Sequence, residues 1–215
     1  MLEFASQGDY LATMTQEHSF IHRFEQGASS AAPLLLLHGT GADENNLLPL
    51  GKALAPDRSL LSPRGKVLEN GMPRFFRRLA EGVFDEQDVI KRAHELADFI
   101  IAAGETYKLS KPIAVGFSNG ANIAAAILLL RPEVLSGAIL LRAMVPLAKP
   151  PAADLAQKPV LIISGASDPI IPASNAALLA KMLKDAHADV EHETIPTGHT
   201  LTQNDVTLAS KWLNR

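Results

Sequence analysis

The chain has 215 residues, 47 % of them hydrophobic and 20 % charged, with a formal net charge of −3. That is ordinary globular composition, long enough for one domain (residues 1–215) with a sizeable core, and the charge balance points to neither nucleic acid nor an anionic membrane as partner. Cysteine is absent, which excludes disulfides, thiolate nucleophiles and cysteine metal sites and fits a reducing compartment.

The N-terminal MLEFASQGDYLATMTQEH carries an early acid and no basic region before an apolar stretch, so it does not read as a signal peptide. The segment Ser19 to Phe24 predicts an antiparallel edge strand, and Gly27 to Ala32 a strand-to-strand turn. Pro33 to Leu37 is a continuous apolar run ending at His38-Gly39, as a buried strand requires. Arg58 to Leu61 is the next strand candidate, and Pro63 to Phe84 is the longest irregular stretch. In Asp85 to Ala103 the residues Ile90, Ala93, Ala97, Ile100 and Ile101 form a helical stripe, with Asp85 as N-cap and Gly104 as stop.

Further strands are predicted over Pro112 to Phe117, Gly137 to Leu141, Pro159 to Ile163 and Val190 to Ile195. Between them lie helices: one rich in small residues after Ser118, one over Ser174 to Ala186, and one over Asp205 to Arg215 carrying Ala209, Trp212 and Leu213 on one face. The longest apolar run, Ala121 to Leu130, is about half the roughly 18 residues of a membrane span. A cytoplasmic protein without membrane association is therefore expected. Strands alternating with helices imply parallel βαβ units, hence an α/β sheet covered on both faces, with ligands at the carboxyl ends of its strands.

Those strand ends carry the chemistry. Gly116-Phe117-Ser118-Asn119-Gly120 follows an apolar run and precedes a helix, the setting of a strained nucleophile elbow. A serine hydroxyl is a weak nucleophile, so a base must take its proton and a third group must orient that base. In α/β-hydrolases the partners follow in the order serine, acid, histidine. Of the seven histidines only His187, His192 and His199 come after Ser118. His187 falls in a helix-to-strand turn and His192 inside a strand, where alternation points it to solvent. His199 lies in the loop past the last strand and is the expected base. Asp168, in Ser167-Asp168-Pro169, occupies another loop that follows a strand, unlike Asp154, Asp185 and Asp189, and is the expected acid.

The oxyanion of a tetrahedral intermediate needs donors fixed in advance. The backbone N–H of Asn119 is one candidate. Thr40, in His38-Gly39-Thr40-Gly41, is the other, through its backbone and also its hydroxyl. His38 is expected to support this loop rather than bind metal, since no partner sits at zinc-like spacing. The Gly39-Thr40-Gly41 run lacks the Gly-Lys-Ser/Thr ending of a phosphate loop.

Along nearly its whole length the chain resembles the phospholipase/carboxylesterase/thioesterase branch of the α/β-hydrolases. The resemblance rests on LLLLHGTGADENNLLPL (34–50), GFSNGANIAAA (116–126), GASDPIIP (165–172) and TGHTL (197–201). The stretch LLSPRGKVLENGMPRFFRRLAEGVFDEQDV (60–89) more narrowly resembles bacterial carboxylesterases associated with hydroquinone degradation or resistance. The resemblance implies the α/β-hydrolase fold and cofactor-free hydrolysis of carboxylic or thio esters. It puts Ser118, Asp168 and His199 in the triad, puts Thr40 and Asn119 at the oxyanion hole, and allows a homodimer. Val83-Phe84-Asp85 stands where acyl-protein thioesterases carry Trp-Phe-Asp, which weighs against their palmitoyl substrates.

Only Arg142 to Lys158 separates two successive strands, too short for a large lid, so an open site for small soluble esters is expected. Met72, Phe75 and Phe76 of the long loop, with Met144 and Ile171, are candidates to wall the pocket. Alternatively Phe75 and Phe76 anchor that loop to the core. The basic residues Arg64, Lys66, Arg74, Arg77 and Arg78 are expected to be solvated or paired with Glu81, Asp85 and Glu86, with recognition of a substrate carboxylate as the alternative. Rival functions are an acyltransferase or perhydrolase using the same triad, and a non-catalytic ligand-binding protein on the same scaffold.

Overall fold

In the computed structural model residues 19–215 are described, so the expectation of no signal peptide falls outside them. Seven strands form the central sheet: β1 (His22–Glu25), β2 (Leu34–Leu37), β3 (Leu60–Pro63), β8 (Ile113–Phe117), β9 (Gly137–Leu141), β10 (Pro159–Gly165) and β11 (Asp189–Ile195). Their spatial order is β1-β3-β2-β8-β9-β10-β11. Every pairing is parallel except that of the edge strand β1 with β3. Gly27 to Ala32 therefore links strands that are not neighbours, because β3 lies between β1 and β2.

Strand alternation sorts the apolar residues onto two faces. Leu35, Leu37, Ala114, Leu140, Ile162 and Val190 pack with α2 (Glu86–Tyr107), α3 (Asn119–Leu130) and α4 (Ala173–Asp185). Leu34, Leu36, Val115, Ile139, Leu161 and Ile163 pack on the other face, against α1 (Leu48–Leu54) and α5 (Gln203–Leu213). Helix α3 is buried on all sides, Asn119 to Leu129, and its small alanines allow close approach to the sheet. This mostly parallel sheet with helices on both faces is the α/β-hydrolase fold, and residues 142–158 between β9 and β10 form neither helix nor strand.

Several boundaries and faces differ from the sequence reading. Helix α2 runs through Gly104 to Tyr107 and ends where Lys108 takes the left-handed conformation (φ 57°), its N–H donating to Gly104 O. The helix continues because Tyr107 stacks on Phe24, ring centroids 4.0 Å apart; packing outweighs the glycine's low propensity. The buried face is Val89, Ala93, Leu96, Ala97, Phe99, Ile100 and Ala103, so Ile90 and Ile101, placed in the stripe, flank it and are exposed. Asp85 does cap the helix, accepting from the Asp88 N–H. Helix α1 was not anticipated. The stretch 63–84 is also more regular than expected: β4 (Val67–Glu69) pairs with β5 (Met72–Arg74), and β6 (Arg78–Ala80) with β7 (Val83–Phe84). Strands of two or three residues are too short to show periodicity, but the Asn70-Gly71 turn, both residues at positive φ, was the available signal.

The chain leaves β2 for β3 on one side and returns as β8 on the other, so the crevice beyond Leu37 and Phe117 is the switch point where α/β sheets hold ligands. There the backbones of two loops nearly touch: a Cβ built on Gly120 would sit 1.9 Å from Leu37 O and 2.6 Å from His38 O. Gly120→Ala should cost about 3 kcal/mol or more, read as a lowered denaturant midpoint; an unchanged midpoint would refute this close contact.

Candidate active site

The four loops after β2, β8, β10 and β11 converge at this crevice. Ser118, between β8 and α3, holds a strained backbone conformation, φ 52° and ψ −112°, of the kind that non-glycine residues keep only where the surroundings force it. What forces it is visible on both sides: the Ser118 N–H donates to Leu141 O of β9 at 2.8 Å, and Ser118 O accepts from Asn122 N–H at 3.0 Å. The hydroxyl stands at the top of the sheet, 3.0 Å from His199 Nε2.

His199 follows β11 and lies 2.8 Å from Asp168 Oδ2 through Nδ1. The Asp168 carboxylate is 1 % exposed, and its Oδ1 accepts the N–H groups of Ile170 and Ile171 at 2.8 and 3.0 Å. One carboxylate oxygen is thus fixed by backbone while the other faces the imidazole, so Nδ1 is the protonated nitrogen and Nε2 is left to accept from Ser118. The Asp168 and His199 loops are tied to each other: Ser167 N–H donates to Thr197 O at 3.0 Å, and Gly165 packs so tightly that a Cβ there would lie 2.3 Å from Gly198 O. Phe117 covers the imidazole from the side, ring centroids 5.3 Å apart.

Asn119 begins α3, so its backbone N–H belongs to the unsatisfied first turn. Its side chain, buried at 2 % exposure, accepts the Phe75 N–H through Oδ1 at 2.8 Å. One turn on, Asn122 Oδ1 accepts the Met144 N–H at 2.7 Å. The two asparagines of the elbow helix thus hold the flanking loops, a role that their spacing of three did not reveal without knowledge of the partners.

The Thr40 loop is held from below by His38 and from the side by the β4–β5 hairpin. Gly65 N–H donates to His38 Nε2 at 3.0 Å, which leaves Nδ1–H to reach Gly39 O at 2.7 Å. His38 is therefore neutral, and burial lowers its pKa below the ordinary 6.5. Gly41 N–H donates to Pro73 O at 3.0 Å. Arg74, 3 % exposed, donates to Thr40 Oγ1 and to Glu69 Oε2, both at 3.0 Å, and to Phe76 O at 3.2 Å. Because the Thr40 oxygen already accepts from a guanidinium, its own proton is free to be donated elsewhere.

The expected pocket residues divide. Met72 is 41 % exposed and lies over Gly41, its Sδ 3.4 Å from where a Cβ would be. Met144 and Ile171 pack together with Ala176 and Phe84. Phe75 and Phe76, at 3 % and 0 % exposure, sit in the main core, so their burial is that of anchors for the hairpins. His192 is half-buried rather than turned to solvent, its Nε2 2.8 Å from Ser164 Oγ on the neighbouring strand. Nor are the basic residues paired as expected: Arg64 bonds Glu44, Arg74 and Arg78 share Glu69, Lys66 lies 4.2 Å from the centre of the Phe20 ring, and Arg77 alone takes an anticipated partner, Asp85. Among the described residues no three histidines or carboxylates are grouped to hold a metal, and no helix is long and apolar enough to cross a membrane.

The chain is similar to known proteins over most of its length. Residues 17–215 match the Phospholipase/Carboxylesterase family. MhqD of Bacillus subtilis (strain 168) is 48 % identical over 193 residues, 89 % of this chain and 96 % of that protein. The crystal structure of the Bacillus cereus carboxylesterase superposes with a TM-score of 0.87 at 46 % identity, covering 90 % of this chain and 92 % of that one. A carboxylesterase from Mesorhizobium loti gives 0.88 at 32 % identity, over 94 % and 97 %. Matched over all but its first residues, the chain belongs to the phospholipase/carboxylesterase family of α/β-hydrolases and is a carboxylic ester hydrolase.

Proposed function

We propose that the chain hydrolyses small, uncharged carboxylic esters through an acyl-enzyme on Ser118. The observation that carries this is the unbroken hydrogen-bonded line from buried Asp168 through His199 to Ser118. His199 takes the serine proton as Oγ attacks the ester carbonyl, and Asp168 holds the ring and offsets the charge of the imidazolium. The oxyanion is received by the Asn119 N–H and by Thr40, whose hydroxyl proton is released for this by the Arg74 contact. His199 then returns its proton to the leaving alcohol, and water, activated by the same imidazole, cleaves the acyl-enzyme.

Substrate charge follows from how the nearby cations are used. Arg64, Arg74, Arg77 and Arg78 each carry a carboxylate partner, so an acidic substrate would have to compete with an ion pair already made. Met72 on one side and Met144 with Ile171 on the other offer apolar, conformationally adaptable walls.

Three outcomes are expected. Ser118→Ala should lower hydrolysis of a short p-nitrophenyl ester by about 10⁴-fold or more and abolish fluorophosphonate labelling; retained turnover would end the proposal. A neutral p-nitrophenyl butyrate should be cleaved with at least about tenfold higher kcat/KM than the p-nitrophenyl monoester of succinic acid, and a preference for the anion would show a free cation at the site. Stability should be steady above about pH 6.5 and fall below it. The unfolded chain there takes up protons that folded His38 refuses until the pH reaches its depressed pKa. His192, also depressed by burial, adds to the slope. His38→Gln should flatten the part due to His38 in denaturant titrations below about pH 6.5.

A further inference from the structure

One fully buried cation lies outside the proposed reaction path but against the loop that carries its base. Arg142, the residue after β9, adopts φ 56° and its side chain is 0 % exposed. Its guanidinium has five N–H donors, and each meets an acceptor. Nε donates to Gly198 O at 3.0 Å and Nη2 to Thr200 O at 3.2 Å. Nη1 donates to Ile163 O at 3.1 Å. The remaining two donate to Asp205, Nη1 to Oδ1 at 2.7 Å and Nη2 to Oδ2 at 2.9 Å. Gly198 and Thr200 are the residues on either side of His199.

We infer that Arg142 and Asp205 are a positioning pair that seats the His199 imidazole against Ser118, and so set the rate of turnover and not the binding of substrate. The inference rests on His199 being the base, as proposed above. Neither group touches the reacting atoms. Asp205 is itself fixed at the start of α5, where its Oδ2 also accepts the N–H and hydroxyl of Thr202 at 2.7 and 3.0 Å. The helix terminus therefore holds the carboxylate, the carboxylate holds the guanidinium, and the guanidinium holds both carbonyls that bracket the base. Lysine cannot replace it, since three donors on one atom cannot serve a carboxylate and two separated carbonyls together.

Stability alone does not account for such a pair. Removing two charges from water is costly, and a buried ion pair replaced by groups of similar volume is frequently neutral or stabilising. What an uncharged replacement cannot do is grip Gly198 O and Thr200 O. A misplacement of about 1 Å at a reacting group is worth about 10²-fold in rate.

The test separates the two roles. Arg142→Met leaves Asp205 buried and unpaired and should unfold more readily. Arg142→Met/Asp205→Asn removes both charges, while Asn can still accept from Thr202 to cap α5, so its denaturant midpoint should recover toward the wild-type value. Its kcat on a short p-nitrophenyl ester should nevertheless stay about 10²-fold low, with KM within about twofold. Arg142→Lys, which keeps a buried charge opposite Asp205, should show the same split and guards against a double variant that does not fold. Recovery of kcat together with stability, or a loss confined to KM, would overturn the inference. Fluorophosphonate labelling distinguishes the two levels. If wild-type protein is not labelled at Ser118, the functional reading itself fails. If wild type is labelled and the double variant is labelled at the same rate, only the positioning role fails.

Discussion

The site depends on backbones meeting backbones. At Gly120 the first turn of α3 is pressed onto the carbonyls of Leu37 and His38, and at Gly165 the end of β10 is pressed onto those of Thr197 and Gly198. No side chain fits at either point. The first contact sets the elbow beside the Thr40 loop; the second sets the Asp168 loop beside His199. With these two contacts in place, three loops that are far apart in sequence present Ser118, His199 and Asp168 at hydrogen-bonding distance in a line, with the Thr40 loop beside them.

Buried polar groups then fix what the contacts bring together. His38 supports the Thr40 loop as a neutral ring with both nitrogens used. Arg74 joins that loop to Glu69 and the β5 hairpin strand. Asn119 and Asn122 hold the loops on either side of α3, and Arg142 with Asp205 holds the last loop. Each of these groups would be expensive to bury alone, and each makes at least one hydrogen bond to the backbone of a neighbouring loop. Loops held in this way need neither metal nor disulfide to be rigid, and rigidity at the developing charge is what electrostatic stabilisation relies on.

The elements that pack continuous apolar sequence were legible. Pro33 to Leu37, Gly137 to Leu141 and Pro159 to Ile163 read as buried strands and are strands, because a strand covered on both faces leaves an unbroken apolar run. The expected stripe of α2 took in the exposed Ile90 and Ile101 because they are as apolar as the buried Val89 and Ile100, and only packing tells them apart. The hairpins within 63–84 were unreadable for a different reason: three-residue strands are held by the partners of Arg74, Arg77 and Arg78 rather than by a periodic apolar face. Phe75 and Phe76 could not be divided between pocket and core until both were seen to be buried in the main core.

By itself the sequence determined the α/β architecture, the strained serine turn at a strand-to-helix junction, and which histidine and aspartate occupy loops that follow strands. These are local matters of periodicity, glycine placement and chain order. Only the tertiary structure decided that His199 and Asp168 stand 2.8 Å apart, that Arg64, Arg74, Arg77 and Arg78 already have carboxylate partners, and that Arg142 holds the carbonyls on either side of His199. Such pairings join residues as distant in sequence as Arg142 and Asp205. Their energies depend on burial and on the direction of single hydrogen bonds, and neither property is carried by residue type or spacing.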